Sequence, residues 1–319
     1  MTVNLTARPV RSFNKIDTIA RAKRSARALT YVIITPARNE AAFIERTIQS
    51  MIKQTVLPLR WVIVSDGSTD GTDDIVNRYR PEHAWIELVR MPEHRERNFA
   101  GKVHAFNAGY ARIKERAFDI IGNLDADISF AEDYFAFLLA KFAQYPQLGV
   151  GGTPFTEDAR QYNFRFASLE HVSGACQLFR RDCFEAIGGY QPIASGGIDW
   201  TAVTTARMKG WMTRTFIEKS CVHHRKIGTG KGNRLQARFR FGKQDYLLGG
   251  HPVWEIGRCV YQMKFKPYLL GGLAMLAGYL WAFLSKVEMP IPRELIQFRH
   301  KEQMQRMRRI LFNSQEQVT

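Results

Sequence analysis

The chain has 319 residues, 45% of them hydrophobic, which is enough for one large domain plus an appendage. Its four cysteines, Cys176, Cys183, Cys221 and Cys259, form no C-x-x-C pair and no secreted disulfide framework, which favours a reduced, cytosolic setting. The net charge of +16 sits at the ends. Residues 1–30 carry seven Lys/Arg against Asp17 alone, residues 31–220 hold 22 basic and 23 acidic side chains, and residues 221–319 hold 17 against six. No nucleic-acid module is legible and the charge avoids the centre, so nucleic acid is not an expected partner, whereas basic ends suit an anionic membrane surface.

Residues 1–29 read as a basic arm without a continuous apolar run, so no signal peptide is expected there. From Tyr31 the pattern alternates. YVIIT (31–35) is a strand, followed by a helix-like AAFIERTIQSMI. RWVIVS (60–65) is a second strand that runs into the turn-rich DGSTDGT. After helix-like TDDIVNRY come the strand WIELVR (85–90), helix-like AGKVHAFNAGYARI and the strand FDIIGNL. Strands and helices alternating at this spacing predict a parallel α/β sheet, and ligands of such sheets sit beyond the strand carboxyl ends. Asn39, Asp66 and Asp125 fall at those ends. Beyond Asp127 the alternation weakens, with strands expected at LGVGGTPF (148–155), ACQLFRR (175–181) and MTRTFIE (212–218) and a helix from Trp200 to Met208.

The densest chemistry lies in IIGNLDADISF (120–130). At an extended strand end, Asp125 and Asp127 point to the same side and repel unless something positive sits between them. A hard divalent cation carrying a diphosphate answers that need, because it takes oxygen ligands and leaves positions open. An isolated D-x-D is more often a helix cap beside a solvated acid, but this one has company.

PARNEA (36–41), VSDGSTDGT (64–72), GKVHAFNAG (101–109), NLDAD (123–127), SGACQLFRRDCFEAIGGY (173–190) and GGIDW (196–200) occur in the order seen in family-2 glycosyltransferases. The resemblance covers residues 31 to about 225 and implies a GT-A fold, in which a mostly parallel Rossmann-like sheet is flanked by helices. It also implies transfer of a sugar from a nucleotide diphosphate donor, typically a UDP-sugar, to an acceptor hydroxyl with inversion, using Mn²⁺ or Mg²⁺. Under it, Pro36, Ala37, Asn39 and Glu40 match the loop beside base and ribose, and Asp66 the acceptor of a hydrogen bond from the base. The family often has two acids there, where this chain has Ser65 before Asp66. Asp127 matches the metal ligand, with Asp125 on the metal or the ribose, and Asp199 matches the general base, preceded here by Ile198 rather than an acid.

Lys102, at the opening of a helix, is either a diphosphate neutraliser or a solvated lysine. His223 and His224, in CVHHRKIGTGKG, offer one histidine to the metal or diphosphate, and Arg225 and Lys226 a glycine-flanked cover over the phosphates. A catalytically silent GT-A scaffold and a nucleotidyltransferase are the competing readings. The absence of a matched Q-x-x-R-W motif around Gln236 points to a single transfer rather than polymerisation.

The resulting division is a basic arm (1–29), a nucleotide-sugar-binding half (30–127), an acceptor-binding half (128–250) and a helical, membrane-associated region (251–319). In the last, Pro267–Ser285 is an uncharged apolar stretch about 28 Å long as a helix, marginally enough to span. Basic residues on both sides favour a re-entrant or in-plane arrangement, with Gly271, Gly272 and Gly278 as places to bend. Leu295, Phe298, Met307 and Ile310 have the spacing of an interfacial helix. The expected location is the cytoplasmic face of the plasma membrane, peripheral or monotopic, with a lipid-linked or glycan acceptor.

Overall fold

The computed structural model describes residues 28–93, 99–157, 168–225 and 233–313. The basic arm and Lys226 fall outside them, apart from residues 28 and 29 of the arm. A seven-stranded sheet runs in the order β3 (Ile86–Met91), β2 (Arg60–Asp66), β1 (Tyr31–Ala37), β4 (Ile120–Leu124), β8 (Cys176–Arg180), β6 (Leu148–Gly152), β9 (Met212–Thr215). All its pairings are parallel except those of β8, which runs antiparallel to both β4 and β6.

The strands are continuous apolar runs because both faces of the sheet are covered. Ile33, Trp61 and Ile63 turn to one core with Phe135 and Leu138, while Val32, Ile34, Val62 and Val64 turn to the other with Phe106 and Phe179. The first face is covered by α1 (Ile44–Ile52), α2 (Thr72–Tyr79) and α4 (Tyr134–Gln144). The second is covered by α3 (Phe99–Ala111), α5 (Arg181–Ala186) and α6 (Ile198–Met208).

Two expectations are corrected. β1 continues through Pro36 and Ala37, which pair with Val64 and Ser65 on β2; pairing with β4 has already stopped at Ile34, so the missing proline N–H leaves no gap. The stretch 148–155 is not one strand. It divides into β6 and a two-residue β7 (Phe155–Thr156), which joins β5 (Ile128–Ser129) and β10 (Cys221–His223) in a small second sheet, β5-β10-β7.

The C-terminal region is a helical layer of α7 (Arg234–Leu247), α8 (Pro252–Gln262), α9 (Leu270–Leu284) and α10 (Arg293–Asn313). Among the described residues no helix is long and apolar enough to cross a membrane. The glycines of α9 are contacts rather than bends. A Cβ on Gly278 would lie 2.0 Å from the carbonyl oxygen of Phe239 on α7, and one on Gly242 would lie 1.8 Å from that of Met275. Backbone cannot rotate aside, so Gly278→Ala should incur overpacking at the upper end of about 1–3 kcal/mol. That exceeds the roughly 1 kcal/mol that alanine returns in helix propensity; urea unfolding would measure the loss. On α10, Leu295 is buried in the protein core, Phe298 and Met307 are half-buried and Ile310 is exposed.

A buried charge cluster ties the layer together. Asp245 accepts from Arg258 Nη1 at 2.7 Å and Arg299 Nη2 at 2.5 Å. Burial opposes its charge, but the two arginines outweigh burial and hold its carboxyl below the usual range. Glu255, fully buried, is pushed up to about 8 by burial and then by Asp245. A folded value above the unfolded one means that its stabilising contribution is complete below the ordinary glutamate range and is lost as pH rises through about 8. Melting temperature should therefore fall as pH rises from about 4.5 to about 8, and Glu255→Gln, which stays neutral, should flatten that slope.

Candidate active site

Asp125 and Asp127 do not lie on an extended strand. β4 ends at Leu124, and residues 125–127 form a turn into β5. The turn is held from α1, where Thr47 Oγ1 lies 2.8 Å from the Ala126 carbonyl and 2.7 Å from that of Ile128. β10 then pairs antiparallel with β5, setting His223 opposite Ile128. Strand pairing, rather than strand periodicity, thus brings Asp125, Asp127 and His223 together, with donor atoms all within 4.8 Å of one another.

The group has the chemistry of a cation site. His223 Nδ1 sits 2.5 Å from the Arg225 carbonyl oxygen, which can only accept, so Nδ1 carries the proton. That leaves the lone pair on Nε2, which is 3.5 Å from Asp127 Oδ1. Two carboxylates and a neutral imidazole suit Mn²⁺ or Mg²⁺. Burial and then Asp125 push the Asp127 carboxyl up, as expected where negative charge is in local excess.

Cationic side chains meet that excess. Lys102 Nζ lies 2.5 Å from Asp125 Oδ1, and although burial alone would lower its ammonium, Asp125 carries it above the usual range. Arg225 Nε is 3.3 Å from Asp127 Oδ2, and its Nη2 pairs with Glu40. The guanidinium also lies over the Phe43 ring, 5.4 Å from its centroid. Burial raises Glu40 to about 7 despite Arg225, helped by Asp127 and Asp125.

Asp199 lies in the first turn of α6, whose N-cap is Gly197 at φ +87°; Asp199 is therefore inside the helix rather than its cap. Its Oδ2 accepts from the Gly174 amide at 3.2 Å, and a Cβ on Gly174 would come within 3.0 Å of that carboxylate. The base candidate thus rests against bare backbone. The next residue, Trp200, is covered by the Arg299 guanidinium, 4.4 Å from the ring centroid, and Arg207 at the far end of α6 is bound by Glu302 at 2.8 and 3.0 Å. Both ends of the helix carrying Asp199 are therefore held by α10.

One cavity of about 390 Å³ collects Lys102, Asp125, Asp127, Asp199, His223 and Arg225. Pro36, Ala37, Asn39 and Asp66 are not among its lining residues. Asn39, at φ +55°, accepts from the Thr69 amide at 2.8 Å and so joins the β1 and β2 loops. Asp66 is buried at the end of β2, 3.9 Å from Arg38 and beside Gly101 at the start of α3. The structure does not bring His224 into the group. It lies just past the end of β10, with its Nε2 2.9 Å from Ser129 Oγ and its Nδ1 3.3 Å from Arg46. Sequence reasoning missed Asn123, Gly174 and Tyr190 as lining residues. All three were inside recognised motifs, but nothing in the pattern marked them as facing the cavity.

The family model described as Glycosyl transferase family 2 matches residues 32–173. Poly-beta-1,6-N-acetyl-D-glucosamine synthase of Staphylococcus aureus (strain COL) is 27% identical over 136 residues, 42% of this chain and 31% of that protein. The Staphylococcus epidermidis synthase is 23% identical over 162 residues, 50% of this chain and 37% of that protein. The chain thus matches about a third of the length of these relatives. Among solved structures, mannosyltransferase PcManGT from Pyrobaculum calidifontis, in complex with GDP-Man and Mn²⁺, superposes with a TM-score of 0.52 at 20% identity, covering 91% of this chain and 87% of that one. S. aureus TarS 1-349 with UDP-GlcNAc gives 0.51 at 13% identity, covering 85% and 79%. Both share the GT-A arrangement of a mostly parallel sheet between helices. Residues 32–173 thus carry a glycosyl transferase family 2 domain.

Proposed function

We propose that the chain is a metal-dependent, inverting glycosyltransferase that moves a sugar from a nucleotide diphosphate, UDP being the first choice, to an acceptor hydroxyl in cell-surface polysaccharide synthesis. The observation that carries this reading is the single cavity holding the Asp125–Asp127–His223 group together with Asp199. Asp125, Asp127 and His223 would hold Mn²⁺ or Mg²⁺, which when bound would offset charge on the departing diphosphate. Arg225 and Lys102 add positive charge to the same cavity and bind the phosphates. Asp199 takes the proton of the acceptor hydroxyl as that oxygen attacks the anomeric carbon, and the Gly174 amide keeps its second oxygen in place. Asp66, Asn39 and Glu40 form the nucleotide side.

The acceptor is lipid-linked or a growing glycan, and the enzyme works at the cytoplasmic face of the plasma membrane. The polysaccharide synthases that the domain resembles support a glycan product, and the basic C-terminal region supports an anionic membrane surface. A thermal-shift panel of UDP-, GDP- and dTDP-sugars with Mn²⁺ tests the donor, since a ligand that binds only the folded state raises the melting temperature. At least one sugar nucleotide should do so in Mn²⁺ and not in chelator. A panel with no shift would defeat the reading.

A further inference from the structure

The C-terminal layer is packed inside out. The buried stripe of α9 is Gly271, Gly272, Met275, Gly278, Tyr279 and Ala282, largely small residues. The opposite stripe, Leu270, Leu273, Leu280 and Leu284, is spaced at three-, seven- and four-residue intervals and is 44–74% exposed. A helix seated in a water-soluble core has the reverse arrangement, with its large apolar residues inward. The outer face of α8 continues the pattern, with Val253, Ile256 and Val260 each about half exposed. Of the 19 large hydrophobics exposed among the described residues, 13 lie between Phe241 and Leu284. That concentration marks a covered surface rather than scattered leucines.

The charge around the face identifies what covers it. Between Ile256 and Val287 there is no Asp or Glu, while Lys264, Lys266 and Lys286 stand at the two ends of α9. Lys243 on α7 lies over the exposed Trp281 ring, 4.8 Å from its centroid. Two copies of this face would bring like charges together, whereas anionic headgroups complement the basic rim. Fifteen residues of helix reach only about 22 Å, short of the ~30 Å hydrocarbon layer. That length suits a helix lying along a surface rather than crossing it.

We propose that the outer faces of α8 and α9 sit in the interfacial layer of an anionic membrane leaflet, leucines toward the acyl chains and lysines among the headgroups. This deepens the reading that the enzyme works at a membrane and rests on it. It also replaces the span or re-entrant hairpin that the length of Pro267–Ser285 allowed. Because α10 binds both the α7–α8 layer, through Arg299 and Asp245, and α6, through Trp200 and Arg207, the docked face is connected to the helix that carries Asp199.

Flotation of the full chain with vesicles of phosphatidylcholine, with and without phosphatidylglycerol, tests the proposal. The wild type should float with phosphatidylglycerol vesicles. Leu273→Glu/Leu280→Glu should abolish flotation, whereas Leu57→Glu/Leu59→Glu, at exposed positions outside the C-terminal layer, should not. Lys264→Gln/Lys266→Gln/Lys286→Gln should weaken binding roughly a hundredfold. Quenching of Trp281 by brominated lipid, lost in Trp281→Phe, checks contact without relying on the charged variants. Wild-type protein that stays at the bottom of both gradients would overturn the proposal. So would a Leu273→Glu/Leu280→Glu protein that floats normally, or a wild-type dimer that this variant converts to monomer. Flotation is read without donor, and donor hydrolysis is read without vesicles, so membrane docking and glycosyl transfer can fail separately.

Discussion

Asp199→Asn is expected to lower glycosyl transfer by about 10²-fold or more while leaving nucleotide affinity nearly unchanged. The asparagine carbonyl can still accept the Gly174 amide that Asp199 Oδ2 now accepts at 3.2 Å, so the first turn of α6 keeps its seat. What the amide cannot do is take a proton from an attacking hydroxyl. Steady-state kinetics with separate donor KM and kcat measure the split. Parallel loss of donor binding and melting temperature would make Asp199 a structural residue of the α6 N-terminus.

Asp127→Ala should reduce turnover by roughly 10²–10³-fold, the scale of losing one electrostatic contact to a developing anion. It should not destabilise the fold. Burial and Asp125 raise the Asp127 carboxyl, so in the absence of metal its charged form is held against a cost, and its removal relieves that cost. Arg225 retains Glu40 as its partner. Melting in chelator should therefore match or exceed that of the wild type, while the Mn²⁺-dependent part of donor binding disappears. An Asp127→Ala protein with wild-type turnover in excess chelator would remove the metal from the mechanism.

The parallel sheet was legible because its strands are continuous apolar runs ending in turn residues, and the ends of those runs carried Asn39, Asp66 and Asp125. β8 was legible as a strand but its antiparallel direction was not, and the small sheet was not legible because a two-residue strand such as Ile128–Ser129 has no periodicity to read. That sheet distinguishes the two histidines. His223 faces Asp127 only because β10 pairs with β5, a contact across some 95 residues of chain. Local pattern treats His223 and His224 alike. Residues 125–127 form a turn, not a strand. The carboxylates do converge, but by a turn and a distant strand, not by the period of an extended one. In the C-terminal region, hydrophobicity alone suggested a segment to cross the bilayer or bend at its glycines. The contacts of Gly242 and Gly278 show that the glycines instead let α7 and α9 approach backbone to backbone.

On the proposed reading, one cavity joins a nucleotide diphosphate to a divalent cation held by Asp125, Asp127 and His223. Calorimetric titration of UDP, GDP and dTDP into the full chain, in Mn²⁺ and in chelator, tests it most directly. At least one nucleotide should bind in Mn²⁺, lose that binding in chelator, and lose it equally in Asp127→Ala with Mn²⁺ present. A nucleotide that binds with the same affinity in Mn²⁺, in chelator and in Asp127→Ala would contradict the claim.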